Sequence, residues 1–172
     1  MATTRKKGAK AVARSYFEAV AARDVEAMVE HWEPGGIDHV HGIADLRVPE
    51  GYRGWFGNLF RAFPDFGIEV LDVVGAGELA AVRWRVTGTF TGPARFEGLA
   101  PTGARVEVEG CDMLTVRDGL IHSNHAYTNG AELARQLGAL PAGGSPAERG
   151  MIAAVNARTS AADAIRKLRD RR

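Results

Sequence analysis

Hydrophobic and polar positions alternate most regularly between Leu79 and Phe90. Ala80, Val82, Trp84, Val86 and Phe90 fall on one face, and Ala81, Arg83, Arg85, Thr87 and Thr89 on the other. A period of two with one apolar side predicts a strand with one face buried and one wet. The pattern recurs from Arg105 onward, with Val106, Val108, Leu114 and Val116 pointing inward. Arg105, Glu107 and Glu109 point outward, placed to pair with Arg83 and Arg85. Asp118-Gly119 predicts a two-residue hairpin turn, because a type I′ turn needs positive φ at both central positions. With these two as the loop, Arg117 faces Leu120, Val116 faces Ile121, Leu114 faces Ser123, Asp112 faces His125 and Gly110 faces Tyr127. A further strand is expected over 66–74, turning at 75–78.

The rest of the chain has helical spacing. Val12, Tyr16, Phe17 and Val20 predict a helix over 8–23. Asp24 reads as the N-cap of a second, short helix that buries Val25, Met28, Val29 and Trp32 before Pro34-Gly35-Gly36. Residues 37–41 form a short candidate strand, with Ile37, His39 and His41 on one face and Asp38 and Val40 on the other. Residues 42–48 read as an irregular connection. Pro49 suits the first turn of a third helix, which carries Tyr52, Trp55, Phe56, Leu59, Phe60 and Phe63. A Gly/Pro-rich loop spans 91–103, and a short helix over 130–137 stops at Gly138. Ser145 starts a last helix whose apolar positions are Met151, Ile152, Val155, Ile165 and Leu168.

Helices first, then a mostly antiparallel sheet, then a helical tail argue for an α+β fold. A curved sheet with one apolar inner face, closed by helices, makes a cone around a pocket. Residues 1–7 are expected to be a disordered basic tail and 8–139 a single domain. Residues 140–172 read as a linker and a helix packed on that domain or on a partner.

Composition adds mainly exclusions. The chain has 172 residues, 45% hydrophobic and 25% charged, with a net charge of +1. That balance offers no global attraction to nucleic acid or to an anionic membrane. No apolar run is long enough for a membrane span, and no apolar h-region follows the first basic residues. A single cysteine, Cys111, rules out an internal disulfide framework, and it reads as a small packed thiol. The expected location is the cytoplasm. Gly75-Ala76-Gly77 joins two strands rather than opening a helix, so it is no dinucleotide site.

The hairpin register sets the candidate chemistry. Asp112 and His125 share the inner face, as a catalytic pair in which the carboxylate would fix the imidazole tautomer and support the imidazolium. Such a base would remove a proton α to a carbonyl. The competing reading is a satisfied buried polar pair without turnover. The aromatic residues Tyr16, Trp32, Trp55, Trp84 and Phe96, together with Tyr127, suit the wall of a pocket for a flat hydrophobic ligand. One of His39 and His41 is expected to line it. His31, His39, His41, His125 and Asp112 are also residue types that hold metals, but an H-x-H pair is weak evidence.

The runs FPDF at 63–66, AVRWRVTGTFTG at 81–92, PTGARVEVEGCDMLTVRDGLI at 101–121 and ARQLG at 134–138 resemble the SnoaL-like polyketide cyclases. That family lies within the NTF2-like superfamily. The resemblance covers roughly residues 10–140. It implies an NTF2-like cone and a homodimer packed through sheet faces. It also implies a metal-free, cofactor-independent enzyme acting on a small hydrophobic, polycyclic or aromatic carbonyl compound. An acidic residue on the last strand, just before the tyrosine matching Tyr127, would be the general acid/base. Here that segment is Asn124-His125-Ala126-Tyr127, with no Asp. The position falls on His125 or on Ala126, and the alternative function is a binding protein that has lost the acid.

Overall fold

The computed structural model describes residues 8–169, apart from the side chains at 164 and 168. The basic tail expected over 1–7 lies outside the described residues. Helices α1 (Ala9–Ala22), α2 (Val25–Val29) and α3 (Glu50–Ala62) cover one face of a six-stranded sheet. The strands are β1 (Trp32–Val40), β2 (Ala44–Arg47), β3 (Gly67–Ala76), β4 (Leu79–Thr89), β5 (Arg105–Arg117) and β6 (Leu120–Thr128). Helices α4 (Gly130–Gln136) and α5 (Pro146–Arg169) follow. Strand order is β2-β1-β6-β5-β4-β3. The β1–β6 pair is parallel, and the other pairs are antiparallel.

Local chemistry explains several boundaries. The Asp24 side chain accepts from the Ala27 backbone N–H and starts α2, as expected of an N-cap. Asn129 caps α4 in the same way through Glu132 N–H. Asp118 (φ 53) and Gly119 (φ 87) close the β5–β6 hairpin in the left-handed region. The connection expected to be irregular over 42–48 contains a short strand, β2. Trp32 begins β1 rather than ending α2, so that strand starts well before Ile37.

The inner sheet face and α1 and α3 form one core. Val12, Tyr16, Tyr52, Val82, Phe90, Leu114 and Ile121 are almost fully buried within it. The outer face carries an ionic ladder. Arg83 bonds Asp72 and Glu109, while Arg85 bonds Glu69, Glu107 and Glu109. The apolar positions of α5 expected to pack on the domain or on a partner, Met151, Ile152, Val155 and Ile165, stand 43–60% exposed on the single chain. An Arg135–Glu148 ion pair of 3.1 Å ties its first turn to α4. Arg158, Thr159 and Arg166 interrupt its apolar positions, so it presents no continuous stripe to bury.

One register change matters for function. Val116 faces Ile121 as expected, but Thr115 then faces Ser123, which leaves His122 as an extra residue in a β-bulge. Beyond it every partner slips by one: Leu114 faces Asn124, Met113 faces His125, Asp112 faces Ala126 and Cys111 faces Tyr127. A one-residue slip moves each later side chain to the opposite face. The bulge is anchored on β1. Ile121 N–H donates to His31 C=O at 2.8 Å, and His122 Nδ1 meets Glu33 Oε1 at 2.5 Å. β1 breaks register alongside it, over the Pro34-Gly35-Gly36 stretch between Trp32 and Ile37.

Candidate active site

Among the described residues, Asp38, Asp112 and Asn124 are the buried acidic and amide side chains, 2%, 6% and 0% exposed. They come from three neighbouring strands. Asp38 sits on β1 opposite Asn124 of β6, and Asn124 faces Leu114, two residues beyond Asp112 on β5. Alternation turns all three inward.

Asn124 joins the two acids. Its Nδ2 donates to Asp38 Oδ1 at 3.0 Å and to Asp112 Oδ2 at 2.7 Å. The other Asp112 oxygen accepts from Trp84 Nε1 at 2.8 Å. Trp84 is held tightly there, since a Cβ added at Gly110 would lie 2.4 Å from its ring. Asp112 therefore has two donors and Asp38 one. Burial pushes the Asp112 carboxyl up to about 6, while the Trp84 and Asn124 hydrogen bonds pull the other way. Burial, then the neighbouring Asp112 charge, pushes Asp38 well above the carboxylate range. Both carboxyls of this buried site are thus raised, and Asp112, with two donors against one for Asp38, is the better placed to ionise first.

Two tyrosines complete the polar end. Tyr16 Oη and Tyr52 Oη lie 2.5 Å apart, both buried. Burial first raises both hydroxyls well above the usual phenol range, helped at Tyr16 by Tyr52 and then the two carboxyls and at Tyr52 by Asp38, so they remain protonated. Tyr16, Asp38 and Asp112 line a cavity of about 140 Å³. Apolar side chains, among them Trp55, Phe63, Phe96 and Val108, supply most of the remaining wall.

Of the residues expected from sequence, Tyr16, Trp55, Trp84, Phe96 and Asp112 line this cavity. Trp32 is buried against Tyr16 and Tyr52, behind the wall. The expected Asp112–His125 pair does not form. The bulge places Ala126 beside Asp112 and turns His125 to the outer face, next to Met113. His39 and His41 are there too, so neither is a pocket residue. His39 stacks on His125 at 4.6 Å, His41 Nε2 lies 3.0 Å from His125 Nδ1, and Tyr127 stacks on His41 at 4.3 Å. His39 Nδ1 also meets Asp45 at 2.7 Å. Partial desolvation, then His39 and His41, pushes His125 below the usual imidazole value. His31 bonds Ala27 C=O and Ser15 instead. Among the described residues no three His, Cys, Asp or Glu side chains are grouped to hold a metal ion.

Sequence reasoning missed Asp38 and Asn124 as site residues. The alternation over 37–41 did set Asp38 beside Val40, and a charge on an apolar strand face was the available signal. Asn124 had no such signal, because its face depends on the bulge.

Solved structures share this architecture. The chain aligns with AclR of Streptomyces galilaeus, named as a candidate hydroxylase, at 26% identity and a TM-score of 0.66, over 77% of this chain and 96% of that one. IdmH of Streptomyces antibioticus, named as a candidate polyketide cyclase, aligns at 28% identity and 0.63, over 77% and 99%. A protein of Catenulispora acidiphila described as having a ketosteroid isomerase-like fold, at 20% identity and 0.63 over 78% and 97%, shares the fold. A search of curated proteins finds no match. The model of the SnoaL-like polyketide cyclases matches residues 10–137, and the chain belongs to that family.

Proposed function

We propose that this protein is a cofactor-independent enzyme of the cyclase or isomerase type, moving a proton next to a carbonyl group in a hydrophobic substrate. The observation that carries this reading is the Asn124 amide shared by two buried carboxyls at the apolar cavity. Asp112, with a pKa of about 6, is the base at neutral pH. Its carboxylate takes the α-proton, and the C–H electron pair becomes an enolate. Asp38, still protonated, and Tyr16 face the same cavity and can donate to the enolate oxygen. In a ring closure the enolate carbon then attacks a second carbonyl. The alkoxide formed takes the Asp38 proton, while Asp112 holds the proton removed from carbon.

A second reading rests on Ala126. It faces the cavity beside Asp112, on the strand where the family resemblance puts the acid, and brings no functional group. On this reading the protein is a non-catalytic binder of small hydrophobic molecules. Hydrogen–deuterium exchange at the α-carbon of a simple ketone separates the two. The enzyme reading predicts exchange that falls about 10²-fold or more in Asp112→Asn and persists in His125→Ala. A ligand that binds without any catalysed exchange favours the binder.

The homodimer is proposed to form through the outer sheet face, in the cytoplasm. Val74, Met113 and Tyr127 are exposed there, 40–63%, which supports a covered surface. No described helix is long and apolar enough to cross a membrane.

A further inference from the structure

We infer that the outer sheet face is an acid-sensitive interface: two copies of the chain pack through it while His39, His41 and His125 are uncharged, and separate when these imidazoles take up protons. The inference rests on the homodimer proposed above and adds what controls it.

The strand register lays this face out in rows. One row runs His39, His125, Met113, Ala81, Val74 across β1, β6, β5, β4 and β3. The next runs Ile37, Ser123, Thr115, Leu79, Ala76 across the same strands. Neither row holds a Lys, Arg, Asp or Glu, and Val74, Leu79 and Met113 stand 40–63% exposed. On the other side of the first row lies the ionic ladder, where Arg83 and Arg85 are already paired with Asp72, Glu69 and Glu109. A belt without charge of its own gives a strongly acidic or basic partner nothing to pair with. A second copy is the occupant that fits, since a two-fold axis sets the neutral belt against itself.

What can charge this belt is the imidazole cluster at its β1–β6 end. His125 lies between the other two: His39 stacks on it at 4.6 Å, and His41 Nε2 meets its Nδ1 at 3.0 Å. A contact of that length between two ring nitrogens needs one N–H and one bare nitrogen, so His41 and His125 cannot both be protonated in this arrangement. Partial desolvation and the two neighbouring rings already favour neutral His125. Among the described residues the acid touching the cluster is Asp45 on β2, which meets His39 Nδ1 at 2.7 Å and is itself 74% exposed. The other ionisable groups nearby are engaged elsewhere or neutral. Arg47, two residues along β2, bonds Gly35 C=O. Tyr127 stacks on His41 and faces the Cys111 thiol on β5, and Arg83 beyond it is held by Asp72 and Glu109. Further along β6, His122 is taken by Glu33.

Packing a second copy over this end desolvates the imidazoles further and brings like charges together if they are protonated. Dimerisation therefore favours their neutral form. As pH falls through the imidazole range, the free chain takes up protons that the dimer excludes, and association weakens. Above that range the free chain is neutral too, and the penalty vanishes. With an ordinary imidazole value of about 6.5, roughly one ring in ten is neutral at pH 5.5, so shedding one proton per chain weakens the dimer about 10²-fold relative to pH 8.

The test is sedimentation velocity of the full-length protein over a concentration series at pH 8 and pH 5.5, at one ionic strength. The wild-type protein is expected to be a dimer at pH 8, with a dissociation constant that rises about 10²-fold or more at pH 5.5. A triple variant, His39→Gln, His41→Gln and His125→Gln, carries no titrating ring in the cluster and is expected to lose most of that dependence. Met113→Arg, which sets a fixed charge in the belt, is expected to be monomeric at both pH values. A wild-type dimer equally tight at both pH values would overturn the inference and leave the homodimer standing. So would a triple variant that keeps the full dependence or cannot dimerise at pH 8. A wild-type monomer at pH 8, or a Met113→Arg dimer as tight as wild type, would overturn the outer-face homodimer itself, and the inference with it.

Discussion

Replacing Asp112 with Asn should make the protein more stable at neutral pH and disable it as a catalyst. Folding moves the Asp112 carboxyl from an ordinary 3.8 up to about 6, chiefly by burial. Below pH about 4 both folded and unfolded chains hold the proton, so there is no penalty. As pH rises through the window between the two values, the unfolded state releases its proton first and folding loses ground. Above pH about 6 the penalty is complete, and a shift of about two pH units corresponds to about 3 kcal/mol. Asn carries no charge and escapes it. The carbonyl oxygen of the introduced amide can accept from Trp84, but its NH₂ group would face the Asn124 amide. Asn124 Oδ1 has no hydrogen-bond partner among the described residues, so its side chain can turn over, with protonated Asp38 as the donor to it. That rearrangement is expected to cost about 1 kcal/mol, leaving a net gain of about 2 kcal/mol at pH 8. Urea unfolding of both proteins at pH 4 and pH 8 measures this directly. A variant less stable than wild type at pH 8, or a difference that does not grow between pH 4 and pH 8, would refute the reasoning.

Other outcomes follow from the same geometry. The exchange rate should rise with pH through about 6 as Asp112 loses its proton and then level off, because burial and the Asp112 charge hold the Asp38 carboxyl well above the usual carboxylate range. Gly110→Ala should push Trp84 away from Asp112, lowering stability by about 1–3 kcal/mol, and removal of that donor should move the pH–rate midpoint upward. Tyr16→Phe should retain ligand binding in saturation-transfer NMR while slowing exchange by about tenfold or more, by removing one of two donors to the enolate oxygen. His125→Ala should leave the pH–rate profile in place, since His125 lies on the outer face with His39 and His41.

Periodicity made most of the fold legible. The two-residue alternation over 79–90 and 105–116 set the inner face correctly, and the residues that alternate inward there form the core. The outer ladder of Arg83 and Arg85 with Glu107 and Glu109 could likewise be read from facing positions. Asp118-Gly119 fixed the turn because few residue pairs accept two positive φ values in succession. The site was half legible. Asp112 and Tyr16 could be placed, since each lies in an uninterrupted stretch of strand or helix. Asn124 and His125 could not, because both lie beyond His122. A bulge has weak local signal: it is fixed by Ile121 bonding to His31 and His122 to Glu33, contacts made by a strand some ninety residues earlier. One extra residue exchanged an imidazole for an amide at the site, and turned an expected Asp–His pair into two acids bridged by Asn124.

Proton transfer at this buried site requires that Asp38 and Asp112 hold their protons differently. Site-resolved ¹³C NMR of the two carboxyl carbons between pH 3 and pH 9 tests it most directly. Asp112 is expected to titrate near 6 and Asp38 at a higher pH than Asp112. Two carboxyls both ionising near 4 would contradict it.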